Sequence, residues 1–258
     1  MITVSRSMSE SQLNKLIEGI ERLKNGALTS MLSIVLGILA VIAMLAVFPH
    51  MRILNMSLYL NITSANRTAI SIIERRLMGA LPYLAVSGIL FIVASILAIA
   101  SFILFFMASG SLKEYSERLG LGRTGLIIVL LSLLLILVGG ASIAFTMPHA
   151  VERWRPLLPI ALHLISGIAI IAVLVFLSAI LMTVGLILFS IMLIRLSEEK
   201  DVDKGFKTAG IIMAAGIVLD LIPFAFIIGL VLCLVALILI YTSAKDSLKN
   251  LRSGVIIP

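Results

Sequence analysis

Three histidines and two carboxylates are the residues whose types could do chemistry in this chain. His50, His149 and His163 fall at or near one edge of long apolar runs, and Glu152 and Asp220 lie on the same side. Imidazoles and carboxylates brought together can bind a transition metal or relay protons. The spacing is not that of a ligand set, because the sequence has no HExxH, no CxxC and no His pair at i, i+4. We therefore prefer the simpler interpretation, in which the Pro-His pairs end helices at an interface. No metal or other cofactor is expected.

Asp220 is the only carboxylate inside a predicted hydrophobic run. An acid within a membrane is a functional hypothesis by default, since burying its charge is costly. A second interpretation places Asp220 in a turn before Pro223, where its carboxylate reaches interfacial water. From Lys207 to Asp220 a helix would rise about 20 Å, so the acid would lie somewhat below the surface. The turn interpretation is preferred.

Three Asn-x-Ser/Thr triplets occur within the short stretch LNMSLYLNITSANRT. Their acceptor residues are Asn55, Asn61 and Asn66. Such sequons indicate a surface loop on the exported side of a membrane. We predict that this loop is external and glycosylated, with Asn55 the poorest acceptor because it lies nearest to the membrane exit.

The composition is that of an integral membrane protein. Of the 258 residues, 61% are hydrophobic and 13% are charged, whereas a soluble domain is about half apolar and about a quarter charged. The net charge of +7 would suggest nucleic acid in a soluble protein. Here the basic residues flank apolar runs, where topology and interfacial anchoring explain them, so no nucleic acid is expected as a partner. The single cysteine, Cys233, excludes a disulfide within the chain.

Apolar runs of about the length that a bilayer needs divide the sequence. The predicted fold is all-α and integral to the membrane, with a cytoplasmic amphipathic segment at 1–26 and a single transmembrane domain over 27–258. The loop over 49–78 is predicted to be external. Six transmembrane helices are predicted at about 27–48, 79–108, 125–147, 157–194, 208–221 and 223–242.

The last apolar run, 208–241, decides the number of spans. As one helix it would extend roughly 51 Å, well beyond a hydrocarbon core of about 30 Å. Pro223 interrupts it and disfavours helical geometry just before the ring. Six spans also concentrate the Lys and Arg residues on the inner face, whereas five spans distribute them almost evenly. The positive-inside rule therefore favours six spans with both termini in the cytoplasm.

The external loop contains a pattern typical of a strand. Residues 54–62 alternate apolar and polar side chains, which a strand with one buried face requires. Residues 64–68 could turn and 69–73 could return, giving a small β-hairpin. A lone hairpin is marginal in water, so its apolar face would need the bilayer, the outer loop around Trp154 or a partner. The alternative for 69–73 is a helical continuation of the second span.

Two shifts of the sequence against itself align charged, Pro and His residues. A shift of 99 residues places Pro49-His50 on Pro148-His149. A shift of 84 residues places Arg123-Thr124 on Lys207-Thr208. The predicted unit is an inner segment, an outward span, an external turn and a return span. Three such helical hairpin repeats would be related by an axis along the membrane normal.

The N-terminal segment has one apolar helical stripe. Its members are Leu13, Leu16, Ile17, Ile20 and Leu23. The stripe predicts that this segment lies along the inner membrane surface or packs against the other cytoplasmic segments.

Two stretches carry a resemblance to a known family. They are EGIERLKNGAL before the first span and GIVLDLIPFAFIIGLVLCLVALILIY at the end of the apolar region. Both resemble an uncharacterised archaeal multi-pass membrane protein family of unknown function. The resemblance implies an archaeal plasma membrane and no assigned activity, catalytic residue or binding residue.

The sequence favours a non-enzymatic scaffold or accessory component of the plasma membrane. No GxSxG, Walker A or Rossmann fingerprint occurs, so an enzyme is not expected. The expected partners are the lipid bilayer and a protein, or a second copy of the chain, meeting the outer loop or the cytoplasmic segments. The alternative is a small-solute or ion transporter or channel that uses polar residues near the outer face.

Overall fold

A computed structural model of the chain describes most of its residues, and all but a few connecting residues among these are helical. The described ranges are 9–47, 67–152, 157–222 and 224–254. Side chains within them are described except at 67–77, 140, 142–152, 157–171 and 254. No strand occurs in the described ranges. The predicted all-α fold is therefore confirmed for this part of the chain.

Six α-helices follow one another within the described residues, and a 3-10 turn, Glu117–Gly120, precedes the third. They are α1 Glu10–Leu45, α2 Arg67–Tyr115, α3 Leu121–Glu152, α4 Leu157–Leu196, α5 Gly205–Asp220 and α6 Phe226–Gly254. Long apolar stretches become helices in lipid because a helix satisfies its backbone hydrogen bonds within the segment. The polar residues before the first apolar run belong to the same helix as that run.

Among the described residues, five helices are long and apolar enough to cross a bilayer. They are Glu10–Leu45, Met78–Tyr115, Glu117–Gly139, Ala172–Leu196 and Phe226–Ser253. Large apolar side chains along them, including Phe91, Leu137 and Phe176, are exposed on the protein surface, as lipid-facing residues are. The protein is therefore a membrane protein. Helix α5 has only 16 residues and rises about 24 Å, less than a hydrocarbon core of about 30 Å.

The last apolar run is two helices. Helix α5 ends at Asp220 and α6 begins at Phe226. The connection is stabilised by a bond from the Ala225 N–H to the Ile222 carbonyl at 2.9 Å and one from the Gly229 N–H to the Ala225 carbonyl at 2.9 Å. The run is therefore not a single rod.

The β-hairpin predicted in the 49–78 loop is not supported. Helix α2 begins at Arg67 and runs through 69–73, where the returning strand was expected. The helical alternative is correct for these residues, because a helix satisfies its own backbone groups and needs no partner strand. The first predicted strand, 54–62, lies outside the described residues.

The chain forms two compact units. The larger unit is Met1–Lys24 with Phe105–Pro258, and the smaller unit is Asn25–Leu104.

In the smaller unit, serine hydroxyls bridge α1 and α2. Three of them donate to carbonyl oxygens of the opposite helix: Ser101 to Gly26 at 2.9 Å, Ser33 to Ala94 at 2.8 Å and Ser87 to Ala40 at 2.9 Å. Successive bridges are seven residues apart on both helices, and the numbers rise on α1 as they fall on α2. The helices are therefore antiparallel, with the seven-residue period of a left-handed coiled coil. Small residues allow this close approach of the two backbones.

In the larger unit, α3 and α4 pack with the same spacing. Gly125 and Gly185 lie so close that a Cβ on either would collide with the carbonyl of the other. Ser132 lies seven residues after Gly125, and Ser178 lies seven residues before Gly185. The Ser178 hydroxyl donates to the Ser132 carbonyl at 2.9 Å. Both serine side chains are fully buried. The two glycines thus let the backbones of α3 and α4 approach closely, and the serine hydrogen bond joins the two helices.

Helices α5 and α6 form a third close pair. A Cβ built on Gly216 would lie 3.0 Å from the Gly229 carbonyl oxygen, and one built on Gly229 would lie 2.8 Å from the Gly216 carbonyl oxygen. Helix α5 also packs on α4, because a Cβ on Gly210 would lie 2.7 Å from the Ser190 carbonyl oxygen.

The helix ends of the larger unit form a packed core that we call the terminal bundle. The side chains that make it up are fully or almost fully buried: Leu16, Ile20 and Leu23 of α1, Leu112 of α2, Leu119 of the 3-10 turn, Leu196 of α4, Phe206 of α5, and Leu248 and Leu251 of α6. Three of the five residues of the predicted N-terminal stripe are thus in this core. The N-terminal segment packs against the ends of other helices, which was one of its two predicted environments.

Candidate functional site

Most of the residues singled out from the sequence as site candidates lie where the structure gives no side chains. His50, Asn55, Asn61 and Asn66 are outside the described residues, and His149 and His163 have only a helical backbone described. Within the residues that are described, no group of three or more His, Cys, Asp or Glu could hold a metal ion. The glycosylation sites stay predictions, and the histidine metal site stays the less favoured hypothesis.

Asp220 is the last residue of α5, and its side chain is exposed. Its carboxylate lies against Gly229 of α6, where an added Cβ would collide with it. Cys233, one turn further along α6, packs against Gly216. The acid is therefore held at the end of the α5–α6 pair, where glycine leaves room for it.

Polar contacts at the surface of the terminal bundle join α1 to α2. Lys15 Nζ lies 2.8 Å from a Glu114 carboxylate oxygen. Arg22 pairs with Glu18 at 2.6 Å and donates to the Ser111 hydroxyl at 3.0 Å. The hydrogen bond from Lys15 holds the pKa of Glu114 below its ordinary value of 4.5, and the same bond raises the pKa of Lys15 above 10.5. Both charges are therefore present across the neutral pH range.

Two further contacts join the end of α2 and the 3-10 turn after it to the end of α4 and the residues that follow it. The Tyr115 hydroxyl, beyond the apolar run of α2, donates to a Glu199 carboxylate oxygen at 2.9 Å. Burial raises the pKa of Tyr115, and the bond to Glu199 raises it further. Arg195 donates to the Arg118 carbonyl at 3.2 Å.

The terminal bundle also carries a groove between α1 and α6, which we call the basic groove. It has a volume of about 220 Å³ and is lined by Lys24, Lys245, Leu248, Lys249 and Arg252. Leu248 is buried and forms the apolar part of the lining. The four cationic side chains come from helices at opposite ends of the chain.

The charges of the basic groove are only partly neutralised. Arg252 lies 3.5 Å from Glu21 of α1, and both side chains are largely exposed. Within the described residues, Lys24, Lys245 and Lys249 make no ion pair at 4.0 Å or less. Three ammonium groups are therefore available to an anion.

The sequence did not reveal this groove, because its basic residues were counted only as topology signals. A signal was present on α6, where Lys245, Lys249 and Arg252 recur at i, i+4 and i+7 and so share one face. The contribution of Lys24 could not be seen, since it depends on α1 lying beside α6.

The sequence profile of one protein family matches most of the chain. The sequence profile of a family described as proteins of unknown function, DUF973, matches residues 16–256. The chain belongs to the DUF973 family. The resemblance seen in the two short stretches is thereby confirmed, while the archaeal origin that it implied stays an expectation.

The match to DUF973 covers all six helices apart from the first residues of α1. No curated protein and no solved structure matches the chain. DUF973 has no assigned activity.

Proposed function

We propose that the protein is a non-enzymatic scaffold or accessory component of the cell membrane, built from three helical hairpins that give six spans with both termini in the cytoplasm. The observation that carries the proposal is the close packing within each helix pair. Serine hydroxyls and glycines at the pair contacts bring one backbone directly against the other. Helices packed this closely favour a rigid scaffold protein over a transporter that has a polar path for solutes between its helices.

The seven-residue spacing supports the three-hairpin plan. A shift of 99 residues from α1 to α3 places Gly26 on Gly125 and Ser33 on Ser132. A shift of 84 residues from α2 to α4 places Ala94 on Ser178. The matched residues make matching contacts, because Ser33 bonds to the Ala94 carbonyl and Ser178 bonds to the Ser132 carbonyl.

The contact between Glu21 and Arg252 supports an even number of crossings. Glu21 lies before the first apolar run and Arg252 lies after the last one, and the two side chains are 3.5 Å apart. Both ends of the helical region therefore belong on one face of a membrane. With five crossing helices, the short α5 must supply the sixth crossing, together with local thinning of the bilayer.

The terminal bundle is the proposed platform for a protein partner or a second copy of the chain. Its apolar core fixes the helix ends, and its surface between α4 and α5 carries exposed charges, including Glu198, Lys200 and Lys204. A fixed charged surface suits steering and orientation of a partner. The predicted outer loop over 49–78, with its glycosylation sequons, is the second proposed contact region.

Transport of a small solute or ion is the second candidate function, and Asp220 favours it. An acid near the end of a short helix, set against a neighbouring helix, is a group that transport could use. The Asp220 carboxylate would then bind and release a cation, or take up and release a proton, during transport.

One paired experiment separates these candidates. Membranes bearing the full chain are cross-linked and solubilised, and the mass of any complex is measured. The purified protein is then tested in vesicles for flux of H⁺, Na⁺, K⁺ and Cl⁻, with Asp220→Asn as the matched variant. A complex of fixed stoichiometry, with flux no greater than in empty vesicles, is expected. Flux that Asp220→Asn abolishes would overturn the scaffold proposal in favour of transport.

A further inference from the structure

We propose that the basic groove is a binding site for the phosphate-bearing headgroup of an anionic phospholipid. The inference does not depend on the scaffold function, because a transporter could hold such a lipid equally well.

The position of the groove matches the depth of a headgroup. Lys24 lies just before the apolar run of α1 that begins at Ala27, and Lys245 lies one turn after Tyr241, where the apolar run of α6 ends. The residues that line the groove therefore lie on the polar side of both apolar runs, next to the point where these runs end. Leu248 contributes to the lining but is buried, so the accessible surface of the groove is mainly basic and suits a phosphate.

The charge of the groove selects an anion. Its lining contains four basic residues and no acid, and Glu21 reaches only Arg252. Lysine ammonium groups bind phosphate as mobile point charges, and Arg adds a planar fork of donors. Basic pockets between helices on the cytoplasmic side of membrane proteins bind anionic headgroups for this reason.

The size of the groove also argues for a headgroup. At about 220 Å³, it is smaller than the roughly 300–1,000 Å³ of pockets that enclose a drug-sized molecule. A phosphate with its glycerol fits such a groove, while the acyl chains can remain in the bilayer. A soluble nucleotide would leave much of its surface outside.

Lys and Arg residues on the inner face of a membrane protein are expected from the positive-inside rule alone. The test must therefore distinguish binding that requires the groove residues from binding that follows the total charge of the protein. The test variant is Lys24→Gln/Lys245→Gln/Lys249→Gln. The matched control is Lys200→Gln/Lys204→Gln/Lys207→Gln, which removes the same charge from exposed residues outside the groove lining. Lys24→Arg/Lys245→Arg/Lys249→Arg retains the charge and reports on folding.

Lipid binding to the full chain is measured by native mass spectrometry in detergent, with phosphatidylglycerol, phosphatidylcholine and inorganic phosphate as separate probes. We expect phosphatidylglycerol to bind more tightly than phosphatidylcholine. At about fivefold per lysine, the Gln triple in the groove should weaken phosphatidylglycerol binding about 100-fold. The control triple and the Arg triple should remain within about threefold of the wild type, a ceiling set by one weak surface charge contact.

Equal losses in the groove triple and the control triple would overturn the proposal, because binding would then follow overall charge. Inorganic phosphate binding as tightly as phosphatidylglycerol would overturn it too, since the ligand would then be a free phosphate. A loss of phosphatidylglycerol binding in the Arg triple, with unchanged thermal unfolding, would also count against the proposal, because the positive charge of the groove would then not account for binding.

Discussion

The contact between α5 and α6 can be tested through the single cysteine of the chain. A Cβ built on Gly216 would lie 2.9 Å from Cys233 Sγ and 3.0 Å from the Gly229 carbonyl oxygen. Carbon atoms are in ordinary van der Waals contact at about 3.5 Å, so Gly216→Ala must separate the two helices by about 0.5 Å. A gap of that size loses a quarter or more of the energy of each contact between them. Overpacking of this kind costs about 1–3 kcal/mol.

The assay is the rate at which a fluorogenic maleimide labels Cys233 in detergent micelles. If labelling proceeds through opening of the α5–α6 pair, a cost of about 1–3 kcal/mol raises the rate about 5- to 150-fold. Gly110→Ala is the matched control, because a Cβ there meets no atom within 4 Å. That control should leave the labelling rate unchanged or lower it, since Ala favours helix over Gly. Equal rates in the wild type and Gly216→Ala would refute the close packing of this pair.

Three other substitutions test separate parts of the structure. Gly125→Leu should lower the thermal midpoint measured by circular dichroism by several degrees, because the side chain meets the backbone of α4; an unchanged midpoint would contradict the α3–α4 contact. Glu114→Gln should lower the thermal midpoint at pH 7, because it removes the ion pair with Lys15. The difference in midpoint between wild type and variant should shrink as the pH falls below 4.5, since Glu114 of the wild type is protonated as its lowered pKa is reached. A difference that persists in acid would count against the ion pair. Tyr115→Phe should cost about 1 kcal/mol in chemical denaturation, through loss of the bond to Glu199, and equal midpoints would exclude that bond.

The parts of the fold that were predicted correctly are those that follow from local pattern. The stripe containing Leu16, Ile20 and Leu23 repeats at helical spacing, and these residues are buried in the terminal bundle. The apolar run 208–241 forms two helices. The local sequence Asp220-Leu221-Ile222-Pro223 predicted the break between them.

The returning strand at 69–73 was predicted wrongly because it was inferred from the alternation at 54–62 and the turn at 64–68, and not from a strand pattern of its own. The same residues continue a long helix that starts at Arg67. The apolar span that follows favours helix, since each backbone group must find a partner within its own segment. The need to satisfy backbone hydrogen bonds near the bilayer therefore favours the helical alternative for 69–73.

The basic groove could not be predicted, since it is a property of tertiary packing. Lys24 and Lys249 are far apart in the sequence, and only the pairing of α1 with α6 brings them to one groove. Their chemistry as isolated residues is that of ordinary membrane-flanking lysines. The serine bridges, in contrast, have a sequence signal, because the small residues Gly26, Ser33 and Ala40 are seven apart.

The central claim is that the chain returns to the side on which it starts, with the short α5–α6 pair as the final hairpin. The most direct measurement labels single cysteines introduced by Ser11→Cys, Ser57→Cys or Ser253→Cys into a Cys233→Ala background, using a membrane-impermeant maleimide. In intact cells only Ser57→Cys should react, and permeabilisation should expose the other two. Reaction of Ser253→Cys in intact cells, with Ser11→Cys still protected, would contradict the account.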